Sequence, residues 1–158
     1  MPKISPFLWF DDNAEEAMVF YTSIFKNSKV GAVTRYGDAG PGPKGSVMTA
    51  SFELEGQAFT ALNGGPHFKF SEAISFVVSV TTQEEVDELW EKLSAGGQTS
   101  RCGWLKDKFG LSWQIIPKAL TELLGDRDPR KSQSVMKAML EMDKIDITRL
   151  KEAYARAA

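Results

Sequence analysis

His67 and Cys102 are the one imidazole and the one thiol of this 158-residue chain, and their isolation limits the chemistry available to it. His67 is the only side chain whose unperturbed pKa suits proton transfer near neutrality. It follows Asn63-Gly64-Gly65-Pro66, where two glycines let backbone come close to a ligand; the bland alternative is a turn with a surface histidine. Cys102 stands beside Arg101, whose charge would favour a thiolate. No second histidine exists to activate that thiol, so a bystander cysteine is the other reading. One imidazole cannot form the set of two histidines and a carboxylate used for non-haem iron and much catalytic zinc chemistry. A metal would need oxygen ligands or a second subunit. A single cysteine also rules out an intrachain disulfide and a thiolate-based zinc cluster, and it fits a reducing compartment.

Composition narrows the partners further. Apolar residues make up 42% and charged residues 25%, with a formal net charge of -2, so the chain carries no electrostatic footprint for nucleic acid or anionic lipid. No run of about 18 apolar residues is present and Met1-Pro2-Lys3-Ile4-Ser5-Pro6 is no cleavable apolar leader. These features predict a cytoplasmic protein of one compact unit with an appendage, whose partner is a small molecule rather than nucleic acid or membrane.

The elements that must position these residues follow from periodicity. Residues 4–10, with Phe7-Leu8-Trp9-Phe10, read as a strand buried on both faces and ended by Asp11-Asp12-Asn13. Asn13 and Glu16 resemble a capping box, after which Ala17, Phe20, Tyr21 and Ile24 form one apolar stripe. Strands are expected over 29–36, 46–54 and 57–63, the last two joined by the tight turn Glu55-Gly56. The loop 37–45, rich in glycine and proline, reads as irregular; it is a tolerated insertion or a lid.

A second unit repeats the plan. Strand 74–80 precedes a true capping box, Thr82 with Glu85, and the stripe Val86, Leu89, Trp90 and Leu93; a short strand near 98–100 and the hairpin 103–117 complete it. Sliding residues 6–25 onto 75–94, an offset of 69, superposes strand, cap and stripe without a gap, which marks an internal repeat. From Lys118 the pattern turns helical: a short helix over 119–124, one started by Asp128-Pro129, and one capped by Asp146. This arm is expected to be too short to own a core, so its stripes should lie on the sheet or on another subunit.

Two β-α-β-β-β units in one chain resemble the vicinal oxygen chelate superfamily, the glyoxalase/bleomycin-resistance fold. The runs Phe7-Leu8-Trp9-Phe10, Glu15 to Tyr21, Ala61 to Pro66, Gly103 to Asp107 and Gly110 to Gln114 are similar to its PhnB-like branch. The resemblance implies an α+β fold in which the βαβββ repeats, 4–63 and 74–117 within a domain 1–117, make an open, U-shaped mixed-sheet barrel, followed by a C-terminal helical extension, 118–158. It implies a homodimer as well. Metal-using members carry a histidine early in each unit and a carboxylate on a last strand. Carried over, these fall on Pro6, Ser75 and Gln114, with Ala61, Leu62 or Asn63 on the other last strand, and none is a usual ligand for a divalent ion. The expectation is therefore a small-molecule binding protein with neither metal nor cofactor, its ligand contacted by Asn63, Gly64, Gly65, His67, Ser75, Trp104 and Gln114. Gln114 and Ser75 should share a face, where Gln114 orients a polar ligand or is a core amide bonded to backbone or water. Trp9 and Trp113 should point toward the helices, leaving Trp104 near a ligand. The alternatives are a metal-free enzyme using His67 or Cys102, and an assembly module built on the arm. Members of this branch often carry the description of a ubiquinone-precursor methyltransferase, yet no glycine-rich strand-to-helix loop suited to S-adenosylmethionine is present.

Overall fold

The computed structural model describes residues 2–157, which form two compact units, one ending at Phe70 and the other beginning at Ser71. The first holds strand β1 (Phe7–Phe10), helix α1 (Ala14–Ile24), and strands β2 (Ser28–Arg35), β3 (Val47–Leu54) and β4 (Gln57–Asn63). Its sheet runs β1-β4-β3-β2, with β1 parallel to β4 and the other pairs antiparallel. Glu55 and Gly56 both take positive φ, 48° and 85°, as a two-residue hairpin turn requires. The core face carries Leu8, Phe10, Phe52, Phe59 and Ala61, all buried. Tyr21 of α1 meets Phe52 with ring centroids 5.9 Å apart, and Phe52 stacks on Phe59 at 5.4 Å. Burying each such large side chain stabilises the unit by about 1.5–3 kcal/mol.

The second unit contains β5 (Ser75–Val80), α2 (Gln83–Ser94), β6 (Gln98–Thr99), β7 (Trp104–Lys106) and β8 (Ser112–Pro117), then α3 (Lys118–Leu124), α4 (Pro129–Leu140) and α5 (Ile147–Arg156). Its sheet order, β5-β8-β7-β6, is that of the first sheet, with β5 parallel to β8. The protein is thus α+β, built from two four-stranded mixed sheets with helices.

The repeat is real in topology, but not gapless. Helices superpose at an offset of 69, buried Ala17 on buried Val86 and Ile24 on Leu93. Strand burial needs 70: Phe10, 3% exposed, then falls on Val80, 4% exposed, whereas an offset of 69 would match buried Leu8 with Val77, 55% exposed. Two residues, Asp11 and Asp12, separate Phe10 from Asn13, and Thr81 alone separates Val80 from Thr82. A one-residue slip flips every side chain to the other face of a strand, so Pro6 has the core-face parity of Leu8, and Ser5 is the open-face partner of Ser75.

Helix starts divide in the same way. Thr82 and Glu85 form the reciprocal capping box expected, but Asn13 makes no side-chain capping bond. Asn63 does that work from the far end of β4: its Oδ1 accepts from Ala14 N at 2.8 Å.

The arm owns a small core, contrary to expectation. Leu120, Val135, Met142, Ile145 and Leu150 are buried together, and Ile116 of β8 packs against them. Three short amphipathic helices bury their stripes on one another, which single-helix stripes do not reveal. Gln83 fastens this bundle to α2, donating to Ile145 O at 3.0 Å and accepting from Ile147 N at 2.8 Å.

Candidate functional site

The second sheet has a core face and an open face, and strand parity sorts the residues between them. Leu105, Trp113 and Ile115 are buried. On the opposite face the register sets two rows of facing residues: Ser75, Ser112 and Lys106 in one, Val77, Gln114 and Trp104 in the next. Gln114 Nε2 donates to Ser75 Oγ at 2.9 Å. Trp104 and Gln114 are only partly buried, and Val77 is exposed.

Three members of this face, Ser112, Lys106 and Val77, were not among the predicted contacts. Ser112 is 1% exposed, and its Oγ has no hydrogen-bond partner among the described residues, a condition rare for a buried hydroxyl. Lys106 Nζ lies 2.5 Å from Glu72 Oε1; that ammonium, hydrogen-bonded to Glu72, holds the Glu72 carboxyl below its usual value. The alternation Ser112-Trp113-Gln114 already placed Ser112 beside Gln114 in parity, but nothing local reports an unpaired hydroxyl.

Asp107 terminates β7 and shapes the hairpin. It is 2% exposed; its Oδ1 accepts from Phe109 N and Leu111 N at 2.9 and 3.1 Å, and its Oδ2 from Trp113 Nε1 at 2.9 Å. The carboxylate replaces the ladder bonds that the turn interrupts. Trp113 therefore points to the core face, as expected.

Trp9 does not. It alternates with buried Leu8 and Phe10, its indole donates to Gly65 O at 2.9 Å, and it meets Phe68 edge-on at 4.9 Å. The indole explains Gly64, where an added Cβ would lie 2.3 Å from the ring. Asn63, Gly64 and Gly65 are thus engaged in the first unit's own architecture. The Asn63 amide is committed at both ends, to Ala14 N and, through Nδ2, to Val47 O at 3.1 Å, while its carbonyl accepts from Tyr36 at 2.5 Å. Tyr36 in turn is enclosed by the 37–45 loop, whose Gly40 and Gly42 lie against its ring.

His67 is exposed and makes no hydrogen bond among the described residues. Cys102 sits in a left-handed conformation, φ 60°, in a turn tied to the arm by its own N donating to Met142 O and Gly103 N to Asp143 O, at 2.9 and 2.7 Å. Arg101, expected to influence the thiol, instead reaches Asp143 at 3.8 Å.

The open face does not fit a divalent ion. Ser75 and Gln114 are neutral, and they bond each other; a dication would not recover its hydration energy from them. Among the described residues no group of three or more histidine, cysteine, aspartate or glutamate side chains could hold a metal ion.

The two sheets define a protein of the glyoxalase/bleomycin-resistance fold. The chain belongs to the PhnB-like family whose model is described as 3-demethylubiquinone-9 3-methyltransferase, matched over residues 2–116. The PhnB protein from Bacillus cereus is 39% identical, with a TM-score of 0.67 over 73% of this chain and 99% of that one. Protein PA1353 from Pseudomonas aeruginosa, 23% identical, has a TM-score of 0.62 over 74% of this chain and 98% of its own. The fosfomycin resistance protein FosX from Listeria monocytogenes, solved with Mn(II) and sulfate, shares the fold at 15% identity and a TM-score of 0.52, over 74% and 91% of the two chains. No curated protein matches the chain.

Proposed function

We propose that this chain binds a small organic molecule on the open face of β5, β8 and β7, without the metal centre used elsewhere in the superfamily. The observation that carries this reading is the bond between Gln114 and Ser75. At Ser75 and Gln114, onto which the resemblance carries ligand positions of metal-using members, this chain has two neutral groups suited to orienting a polar ligand. Trp104, opposite Gln114 in register, supplies an aromatic wall with an N–H handle.

The family description names a methyl transfer. That chemistry calls for a site for a methyl donor, and neither strand-to-helix turn, Asp11-Asp12-Asn13 nor Thr81-Thr82, has the glycine-rich form that would cradle S-adenosylmethionine. Catalysis by His67 or Cys102 has less support than binding, since no activating side chain is hydrogen-bonded to either among the described residues.

A homodimer in a reducing, cytoplasmic setting completes the proposal. Phe7, 60% exposed on the first sheet, and Val77, 55% exposed on the second, are apolar side chains that an isolated chain leaves in water. No helix among the described residues is long and apolar enough to cross a membrane.

Native mass spectrometry with elemental analysis of the same sample tests the reading. The expected result is a metal-free dimer that retains or takes up a small molecule, with the uptake reduced at least tenfold by Gln114→Ala. Stoichiometric metal held by this chain's own side chains, removable by Gln114→Ala, would overturn it.

A further inference from the structure

The row Ser75, Ser112 and Lys106 holds two features that a purely structural surface does not need. Ser112 Oγ is buried and unpartnered among the described residues, on the same face as Gln114. Facing it across the β7–β8 ladder is Lys106, and residues directly opposite in an antiparallel pair have Cβ atoms about 4.5–5.5 Å apart. The Lys106 ammonium is occupied by Glu72, at 2.5 Å, but the two side chains remain 40% and 61% exposed. An ion pair so exposed is weak and readily exchanged. Glu72 lies in the segment before β5, outside any strand or helix, so a change in its rotamer disturbs no ladder.

We propose that Glu72 is a built-in stand-in for a ligand carboxylate, and that this face binds a small aromatic or apolar carboxylic acid with its carboxylate between Lys106 Nζ and Ser112 Oγ. The proposal rests on the binding reading above and names the ligand class for that same face. With Glu72 swung away, the Lys106 ammonium offers one positive charge, which matches a monoanionic carboxylate, and Ser112 Oγ, buried just beneath the surface of the row, has an unpaired O–H to turn toward it; a phosphate dianion would leave a negative charge uncompensated. Trp104 stands two residues before Lys106 on the same side of β7, placed to cover an apolar body attached to the carboxylate. Gln114 Oε1, without a partner among the described residues while Nε2 serves Ser75, can accept from a polar substituent.

Benzoate and its neutral isostere benzamide are the probes, titrated into the full-length protein and followed by amide and indole NMR shifts of the second unit. Benzoate is expected to shift Trp104 and Ser112 and to bind at least tenfold more tightly than benzamide. Glu72→Gln should tighten benzoate about threefold, since an internal competitor lowers apparent affinity by the fraction of time it occupies the site. Lys106→Met should weaken benzoate about tenfold, and Ser112→Ala about threefold while leaving the fold intact, since it removes an unpaired hydroxyl. Benzamide binding as well as benzoate, insensitive to all three substitutions, would overturn the carboxylate assignment and leave the binding face standing. Neither probe shifting this face at millimolar concentration would likewise overturn the carboxylate assignment, while the binding reading itself is decided by the native mass spectrometry above.

Discussion

Asn63 Oδ1 accepts a hydrogen bond from Ala14 N at 2.8 Å, across 49 residues of sequence, so the last strand of the first unit caps that unit's own helix. The residue at the N-cap position, Asn13, makes no such bond. Asn63→Ala should therefore destabilise the protein by about 1–2 kcal/mol, the usual range for a lost cap, while Asn13→Ala costs little. Urea unfolding of the two variants separates them, and equal losses would refute the long-range cap.

Gly64 and Trp9 form a second such pair. A Cβ at Gly64 would sit 2.3 Å from the indole, so Gly64→Ala should cost about 1–3 kcal/mol through overpacking. Trp9→Phe shrinks the obstructing ring. The double variant should then lose less than the sum of the two single losses, a coupling read from a double-mutant cycle.

Asp107 carries the β7–β8 turn through bonds from Phe109 N, Leu111 N and Trp113 Nε1. Asp107→Asn turns an amide N–H toward one of these donors, and a loss of about 1.5–3 kcal/mol is expected. Hydrogen exchange should localise the damage to 105–115. Uniform loss of protection across the chain, with no excess in that stretch, would count against a local role.

Stability of the arm should depend on acid. The Tyr154 hydroxyl donates to Asp126 Oδ2 at 2.7 Å, and that bond, with one from Asp128 N, holds the Asp126 carboxyl below its ordinary value. Asp128, the N-cap of α4, is lowered too, chiefly by the bond from Arg130 N. A carboxyl depressed in the folded state contributes stability fully above its unfolded pKa of about 4, and that contribution fades as pH falls through the folded value. Thermal unfolding of wild type should decline below about pH 4. In Tyr154→Phe the decline should be shallower and baseline stability at neutral pH lower; an unchanged acid slope would show that Asp126 is not the responsible group.

Much of this molecule is legible in its sequence. The strand 57–63, the capping box at Thr82, the turn at Glu55-Gly56 and the Asp128-Pro129 helix start depend on neighbours within about four residues, where propensity and hydrogen-bonding rules act directly. The doubled pattern of strand, cap and stripe led to the βαβββ repeat, and the family resemblance together with strand parity put Ser75 and Gln114 on one face.

Tertiary structure decided whatever depends on absolute register or on partners distant in sequence. The extra residue among Asp11-Asp12-Asn13 reverses strand parity without disturbing helix phase, so it moved Trp9 to the open face while the stripe of α1 still matched. The role of Asn63 was hidden because its donor lies 49 residues away, and the arm's core because three stripes meet only once folded. Ser112 is the clearest case. A serine in a strand is unremarkable in sequence, and only the packed sheet shows it buried without a partner, because hydrogen-bond satisfaction is a property of the assembled surroundings and not of the residue.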